Sequence, residues 1–277
     1  MGLNHNTPLE EYKLKGTSVW VKRDDLHNGD LDLPPWAKIE GVKRLMQHTD
    51  INKPLVHLTV RGSYTGWVLG HYGKELGYDI KIAYGDSKNY PRESLDRIES
   101  YGVELVPLKP NMMKILYNSM KKMANEKGWQ RLPYAFDSFV YHNFWRDKIW
   151  NFKQDYRHLY RVGEGFDNLV ILGGSGVTSV GMINGFMDIE NWPFMKKKVY
   201  VISSSTISSV TNKLKSREVY YPGNISVYDT PYDFYDEMDF YETPFPCNPN
   251  WDKKAWWWLE NNIEKLNGKT LFWNIGA

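Results

Sequence analysis

The chain reads as an α/β protein built on mainly parallel sheets, and three observations lead there. Strand-like apolar runs alternate with helix-like periodic segments along most of its 277 residues, the beat expected of βαβ units. A buried strand, "NLVILGG" (168–174), runs into a glycine-rich turn and then a helix-like segment, together "ILGGSGVTSVGMINGF" (171–186). Three further helical segments close on glycine, at Gly102, Gly128 and Gly268, a common helix stop.

The elements follow in order. "SVWVKR" (18–23) is predicted as a strand and "AKIEGVKRLMQHT" (37–49) as a helix. "PLVHLTV" (54–60) is a strand, and "TGWVLGHYGKEL" (65–76) a helix with small residues on one face. "DIKIAYG" (79–85) is the next strand, and "PRESLDRIESYG" (91–102) a helix with Pro91 in its first turn, where a missing N–H costs nothing. "VELVPL" (103–108) is a strand and "NMMKILYNSMKKMANEKG" (111–128) a helix. A long amphipathic helix is expected over about 139–161, a strand at "KVYVISSS" (198–205), a helix at "DKKAWWWLENNIEKLNG" (252–268) and a last strand in "KTLFWNIGA" (269–277). Residues 220–249 show little periodicity and many acidic and Tyr residues. A stretch that long is expected to be a functional lid or a partly disordered excursion.

Composition narrows the function. Apolar residues make up 42% and charged residues 25%, a globular balance able to fill one large or two modest domains. A net charge of +2 gives no push toward a polyanion. Cys247 is the single cysteine, which excludes an intrachain disulfide and points to a reducing compartment. The polar start "MGLNHNTPLEEYKLKG" and the lack of a span-length apolar run predict a soluble, cytoplasmic protein without a membrane partner. Twelve Trp and nineteen Tyr mostly serve core packing; some could line an aromatic pocket or stack on bases.

Four stretches could carry chemistry: Lys38 in "LPPWAKIEGVKRL", Ser63, Tyr64 and Thr65 in "VRGSYTGWVLG", the glycine turn, and Asp252 in "NPNWDKKAWWW" ahead of "LFWNIGA". Singly each has an ordinary explanation. A lysine near a helix start is usually a solvated surface residue, and Ser63, Thr65 and Asp252 suit helix N-caps. The turn is the most specific. Gly173, Gly174 and Gly176, with Ser175 and Thr178, present backbone N–H groups and hydroxyls at a helix N-terminus. That arrangement is a phosphate cradle, although glycine βα turns are common.

Taken in order, these stretches resemble the tryptophan-synthase-β-like (fold type II) family of pyridoxal-phosphate (PLP) enzymes. They are most similar to its aminocyclopropane-carboxylate deaminase and D-cysteine desulfhydrase branch. The resemblance begins at "TPLEEY" and "VWVKRDDL" (7–26), passes through Lys38, Ser63 and the glycine turn, and ends at "LFWNIGA". It implies two three-layer αβα domains, a large one from 1–50 and 141–277 with a small one, 51–140, inserted. It further implies that Lys38 holds the cofactor as a Schiff base and then carries protons at Cα, a role that calls for a partly neutral amine. Gly173, Gly174, Ser175, Gly176, Val177 and Thr178 would receive the cofactor phosphate. Ser63 and Tyr64 would lie near the cofactor ring and, with Thr65, bind the substrate carboxylate. Asp252 would face the pyridine nitrogen and keep it protonated, favouring reactions through a Cα carbanion. No metal is invoked, and a homodimer is the implied assembly.

Departures from the family pattern bear on the substrate. Tyr64 replaces a usual Asn, Ala37 precedes the lysine in place of Asn, Val177 stands where glycine or Thr is common, and Asn274 and Ile275 replace the familiar ending. Bulky Tyr64 and Trp251 suggest a substrate outside the usual small amino acids. The leading expectation is a deaminating lyase acting on an amino acid or amino-acid-like group. An alternative is a decarboxylase or lyase acting on an amino-acid moiety of a modified nucleotide or base in phage DNA hypermodification, with "MKKK" (195–198) and "KLKSR" (213–217) as its only candidate basic rim. A non-catalytic binding module on the same fold is a further alternative, opposed by the joint presence of Lys38, the turn and Asp252. A Rossmann nucleotide site would want an acid after a second strand; Asp188 and Glu190 are preceded by none.

Overall fold

The computed structural model describes residues 7–27, 33–87, 90–156, 165–190 and 197–277. They fall into two compact units, one drawn from Met1–Gly29, Pro35–Ala37 and Tyr141–Ala277, the other from Asp30–Pro34 and Lys38–Val140.

The larger unit carries a six-stranded sheet among the described residues, built from β1 (Leu9–Leu14), β2 (Thr17–Arg23), β7 (Asn168–Gly173), β8 (Lys198–Ser203), β9 (Ile225–Tyr228) and β10 (Thr270–Asn274). Its order is β1-β2-β10-β7-β8-β9. Every neighbouring pair is parallel except β1 and β2. That exception is a hairpin whose two turn residues, Lys15 and Gly16, have φ of 48° and 82°, the left-handed pair that matches the twist of a two-residue connection. On one face α8 (Asp252–Asn262) lays Trp256 and Leu259 against Val170, Leu172 and Phe272. On the other face lies α7 (Ile207–Ser216), whose Val210 approaches Gly173. Trp145 and Ile149 of α5 (Phe139–Asp155) pack on α6 (Val177–Glu190) at its glycines 181 and 185.

The smaller unit has a parallel sheet in the order β5-β4-β3-β6, from β3 (Leu55–Leu58), β4 (Ile80–Gly85), β5 (Glu104–Leu108) and β6 (Gln130–Arg131). Strand alternation sends Val56, Leu58 and Ala83 to one face, against Leu116, Met120 and Ala124 of α4 (Met113–Lys127). Ile80 faces the other way, onto Gly73 of α2 (Thr65–Leu76). α2 in turn packs against α1 (Ile39–Gln47) and α3 (Arg92–Glu99).

The division places α1 with this smaller unit, so residues 38–50 do not group with the larger one. Contacts on α2 and its end explain this: the Tyr78 hydroxyl donates to Met46 O at 2.7 Å, and Lys43 pairs with Glu75 at 2.9 Å. The 220–249 stretch holds β9 and buries Met238, Phe245 and Cys247. Lys254 donates to the carbonyls of Asp233 (2.6 Å) and Phe234 (3.3 Å), and Lys253 to that of Met238 (3.1 Å). The stretch is therefore fastened to α8. The helix expected over 252–268 ends at Asn262 and continues only as a 3-10 turn, Ile263–Lys265. Residues 157–161 of the long helix expected over 139–161 lie outside the described residues, as do Met195 and Lys196 of the basic run. No helix among the described residues is long and apolar enough to cross a membrane.

Candidate active site

The glycine turn joins β7 to α6 in the larger unit. A Cβ on Gly173 would sit 2.5 Å from Val201 Cγ1, so strand packing excludes a side chain. Gly176 has φ of 80°, and a Cβ there would lie 3.1 Å from the stem of Lys213. Between them Gly174 differs. Among the described residues other than its chain neighbours, its Cβ position meets one heavy atom within 4 Å, Ser204 Oγ at 3.6 Å. The Ser175 hydroxyl accepts from Val177 N–H at 3.4 Å, and Thr178 Oγ1 lies 3.4 Å from the buried Tyr141 hydroxyl. The first N–H groups of α6 have no partner within the helix, and they open beside these small residues. The turn is thus a run of small residues at a helix start, with open space on one side of Gly174. A cofactor phosphate fits it.

Asp252 is buried at the first position of α8. It is not a cap for that helix: Oδ1 accepts the Ile275 N–H at 3.0 Å, and the N-cap residue is Trp251. Its charge is felt nearby. Burial, together with the Asp252 and Asp25 carboxylates, pushes the Cys247 thiol well above its ordinary value. The C-terminal tail that holds Asp252 also holds the segment leading to Lys38. Ala37 N–H donates to Ile275 O at 2.8 Å, Trp36 bridges Gly276, and Ala277 N–H donates to Pro35 O at 3.0 Å. Ile275 thus binds Asp252 through its N–H and Ala37 through its carbonyl, and Lys38 is the next residue in the chain.

Lys38 itself belongs to the smaller unit, half-buried at the N-cap of α1, where its carbonyl accepts Val42 N–H at 3.0 Å. Two other lysines, Lys22 and Lys254, are more deeply buried. Burial pulls both ammonium groups below their ordinary value. Each is already committed, Lys254 to backbone carbonyls and Lys22 to Thr7 and Asp24. Ser63, Tyr64 and Thr65 share one loop of the smaller unit, after Gly62 with its φ of 73°. The Ser63 hydroxyl lies 2.7 Å from Thr65 Oγ1 and accepts Thr65 N–H at 3.2 Å, while Tyr64 occupies the N-cap position of α2. The Tyr64 ring meets Trp67 edge-on at 6.1 Å, and the Arg97 guanidinium covers Trp67 at 4.2 Å. Trp251, in the larger unit, packs edge-on against Phe234.

"VKRDDL" turns out to be a buried ionic lattice. Asp24 has no exposed surface and accepts from Trp273 Nε1 at 2.6 Å and from Thr7 Oγ1; Lys22 and Lys148 lie at 3.5 and 3.3 Å. Burial would raise its carboxyl, but Lys148 and Lys22 overcome this and hold it far below the usual carboxylate range. Arg23 grips Asp25 with two bonds (2.9 and 2.7 Å) and Glu10 with a third (2.6 Å). Asn274 donates to Asp25 Oδ1 at 2.9 Å and Pro246 O at 2.8 Å. The unusual ending residues Asn274 and Ile275 therefore tie the tail to this lattice and to Asp252.

Solved structures share this architecture. An aminocyclopropane-carboxylate (ACC) deaminase homologue superposes with a TM-score of 0.69 at 18% identity, covering 98% of this chain and 89% of that one. O-ureido-L-serine synthase gives 0.68 at 17%, covering 98% and 88%. A hydrogen sulfide-producing enzyme from Fusobacterium nucleatum gives 0.66 at 15%, covering 98% and 95%. The chain has the tryptophan-synthase-β-like, fold type II architecture. At the level of sequence, this fold type II chain is 28% identical over 292 aligned positions to a glycyl-dTMP PLP-dependent decarboxylase of Pseudomonas phage M6, covering 98% of this chain and 99% of that protein. No family profile matches it. Among the described residues, no three His, Cys, Asp or Glu side chains are grouped to hold a metal ion.

One residue at the turn escaped the sequence reading. Ser204, at the end of "VISSS", carries no motif signal of its own. The register of β8 beside β7, Gly173 opposite Ser203, is what sets it next to Gly174.

Proposed function

We propose that this chain is a PLP-dependent enzyme that removes carbon dioxide from an amino-acid group carried on a pyrimidine nucleotide. The likeness to the glycyl-dTMP decarboxylase across nearly the whole of both chains carries this reading. Lys38, the glycine turn and buried Asp252 support it on chemical grounds.

The residues fit the group. The turn from Gly173 to Thr178 would hold the phosphate, Lys38 would hold the aldehyde carbon through its amine, and Asp252 would keep a proton on the pyridine nitrogen. When bound, PLP accepts the electron pair left as a bond to Cα breaks. In decarboxylation the bond between Cα and the carboxylate carbon breaks, CO₂ leaves, and Lys38 returns a proton to Cα. Ser63 and Thr65 would orient the substrate at the start of α2. Tyr64, in place of a small polar residue, supplies a flat ring to the same loop, which suits a substrate larger than a free amino acid. Within "KLKSR", the stem of Lys213 lies against Gly176, which leaves its ammonium as a candidate basic contact for a nucleotide.

Deaminating lyase chemistry is the second reading, supported by the ACC deaminase homologue among the structural neighbours. The two separate by product. Given glycyl-dTMP, duplex DNA bearing the same group, and free amino acids in parallel, the enzyme is expected to release CO₂ from a nucleotide-borne group and no ammonia. Ammonia and a keto acid from free amino acids would establish the second reading instead. Asp252→Asn keeps an acceptor for Ile275 N–H but loses the charge; turnover is expected to fall at least about 100-fold while PLP affinity changes little. Equal loss of both would reduce Asp252 to a structural residue.

A further inference from the structure

Three serines follow one another at the end of β8, and among the described residues the middle hydroxyl alone lacks a partner. Ser203 Oγ accepts Ser205 N–H at 3.1 Å, and Ser205 Oγ donates to Gly174 O at 2.8 Å. Ser204 is 1% exposed, and its hydroxyl has no hydrogen-bond partner among the described residues. Its backbone is fixed beside the turn by a 3.4 Å bond from Ser204 N–H to Gly173 O. Apart from the chain neighbours of Gly174, the hydroxyl is the one described heavy atom within 4 Å of its Cβ position, at 3.6 Å. A buried hydroxyl without a partner is costly, and alanine would avoid that cost at this position. Its aim at the open side of an anion cradle gives it a use.

We infer that Ser204 is a further ligand of the phosphate in the glycine turn, its hydroxyl donating to the anion seated over Gly174. The inference rests on the PLP reading of the turn. A serine turns about a single bond, so the hydroxyl can meet the anion without a backbone shift. The N–H groups of the turn bind from the α6 side, and Ser204 adds a donor from the end of the neighbouring strand. A donor to a charged phosphate is stronger than one to a neutral group.

The test compares PLP with pyridoxal, which has the same ring and aldehyde but no phosphate. Each is titrated into the cofactor-stripped protein, wild type, Ser204→Ala and Ser204→Thr, following absorbance. Ser204→Ala is expected to weaken PLP about tenfold or more and to leave pyridoxal affinity unchanged, with Ser204→Thr close to wild type for both. Melting temperature adds a reversal of sign. Stripped Ser204→Ala should melt at or above the wild-type temperature, because a group without a partner has been removed; with PLP bound it should melt below. Equal PLP affinity in wild type and Ser204→Ala overturns the inference, as does an equal loss for PLP and pyridoxal. If the wild type takes up no PLP at all, the reading of the turn fails first and Ser204 loses its role with it.

Discussion

Two buried polar regions of the larger unit differ in one respect. Around Asp24 the buried groups meet partners: two lysines, a threonine, an indole N–H, and next to them the Arg23–Asp25 pair with Asn274. At the glycine turn the backbone opens on Gly174, and the buried Ser204 hydroxyl beside it is unpaired among the described residues. The first region is charged and closed, the second neutral and incomplete. Buried charge with its partners in place is structure. A buried donor left without one calls for an explanation, and a ligand completing the site is the one proposed above. "VKRDDL" and the glycine turn are both landmarks of the fold, and they serve it in these opposite ways.

Breaking the first region should show in stability before anything else. Asp24→Ala strands Lys22 and Lys148 together in a buried site, and a loss of about 3–5 kcal/mol is expected, a large share of a typical total. Urea titration would measure it. Acid should do the same gradually. The Asp24 carboxyl titrates lower in the folded chain than in the unfolded one, so its contribution is full at neutral pH and declines as pH falls below about 4. Asp24→Asn should flatten that part of the stability profile.

His57 sharpens the comparison, because it is buried and polar without facing a cradle. It stacks on Phe136 at 4.9 Å, its Nδ1 has no partner among the described residues, and burial pushes its pKa down to about 3. The unfolded chain binds a proton below about pH 6.5 that the folded chain refuses, so stability should fall by about 1–2 kcal/mol between pH 7 and 5. His57→Phe should remove that slope in urea melts at the two pH values. An unchanged slope would place the titration elsewhere.

Gly176→Ala is a change of similar size and touches the second region. A side chain at φ of 80° costs about 1–2 kcal/mol, and relaxing that strain should distort the turn. PLP affinity in an absorbance titration is expected to drop by more than the melting temperature suggests. Loss of stability with unaltered affinity would separate the turn from the cofactor.

Much of this was legible in the chain itself. The 65–76 helix matches its span because Gly77 closes it at φ of 79°, and β7 with its turn was marked by apolar residues running into glycines. The β1 hairpin was not legible, since it turns on Lys15, a residue that rarely takes positive φ. β6 is two residues long and β9 four, too short to show a period. Lys38 and the turn could be proposed as site residues from residue type and order. Ser204 could not, because its meaning arises only from the alignment of β8 with β7. The same holds for Asn274 and Ile275, which look like departures in sequence and act as ties in the structure.

The central claim is that Lys38 is the amine that carries PLP, while the deeper lysines are structural. Borohydride reduction of the PLP-loaded protein, followed by peptide mass mapping, tests it directly. One pyridoxyl group per chain is expected, on the peptide containing Lys38, with none on Lys22 or Lys254 and none anywhere in Lys38→Ala. A colourless protein that takes up no PLP, or label scattered over surface lysines and unchanged in Lys38→Ala, would contradict the account.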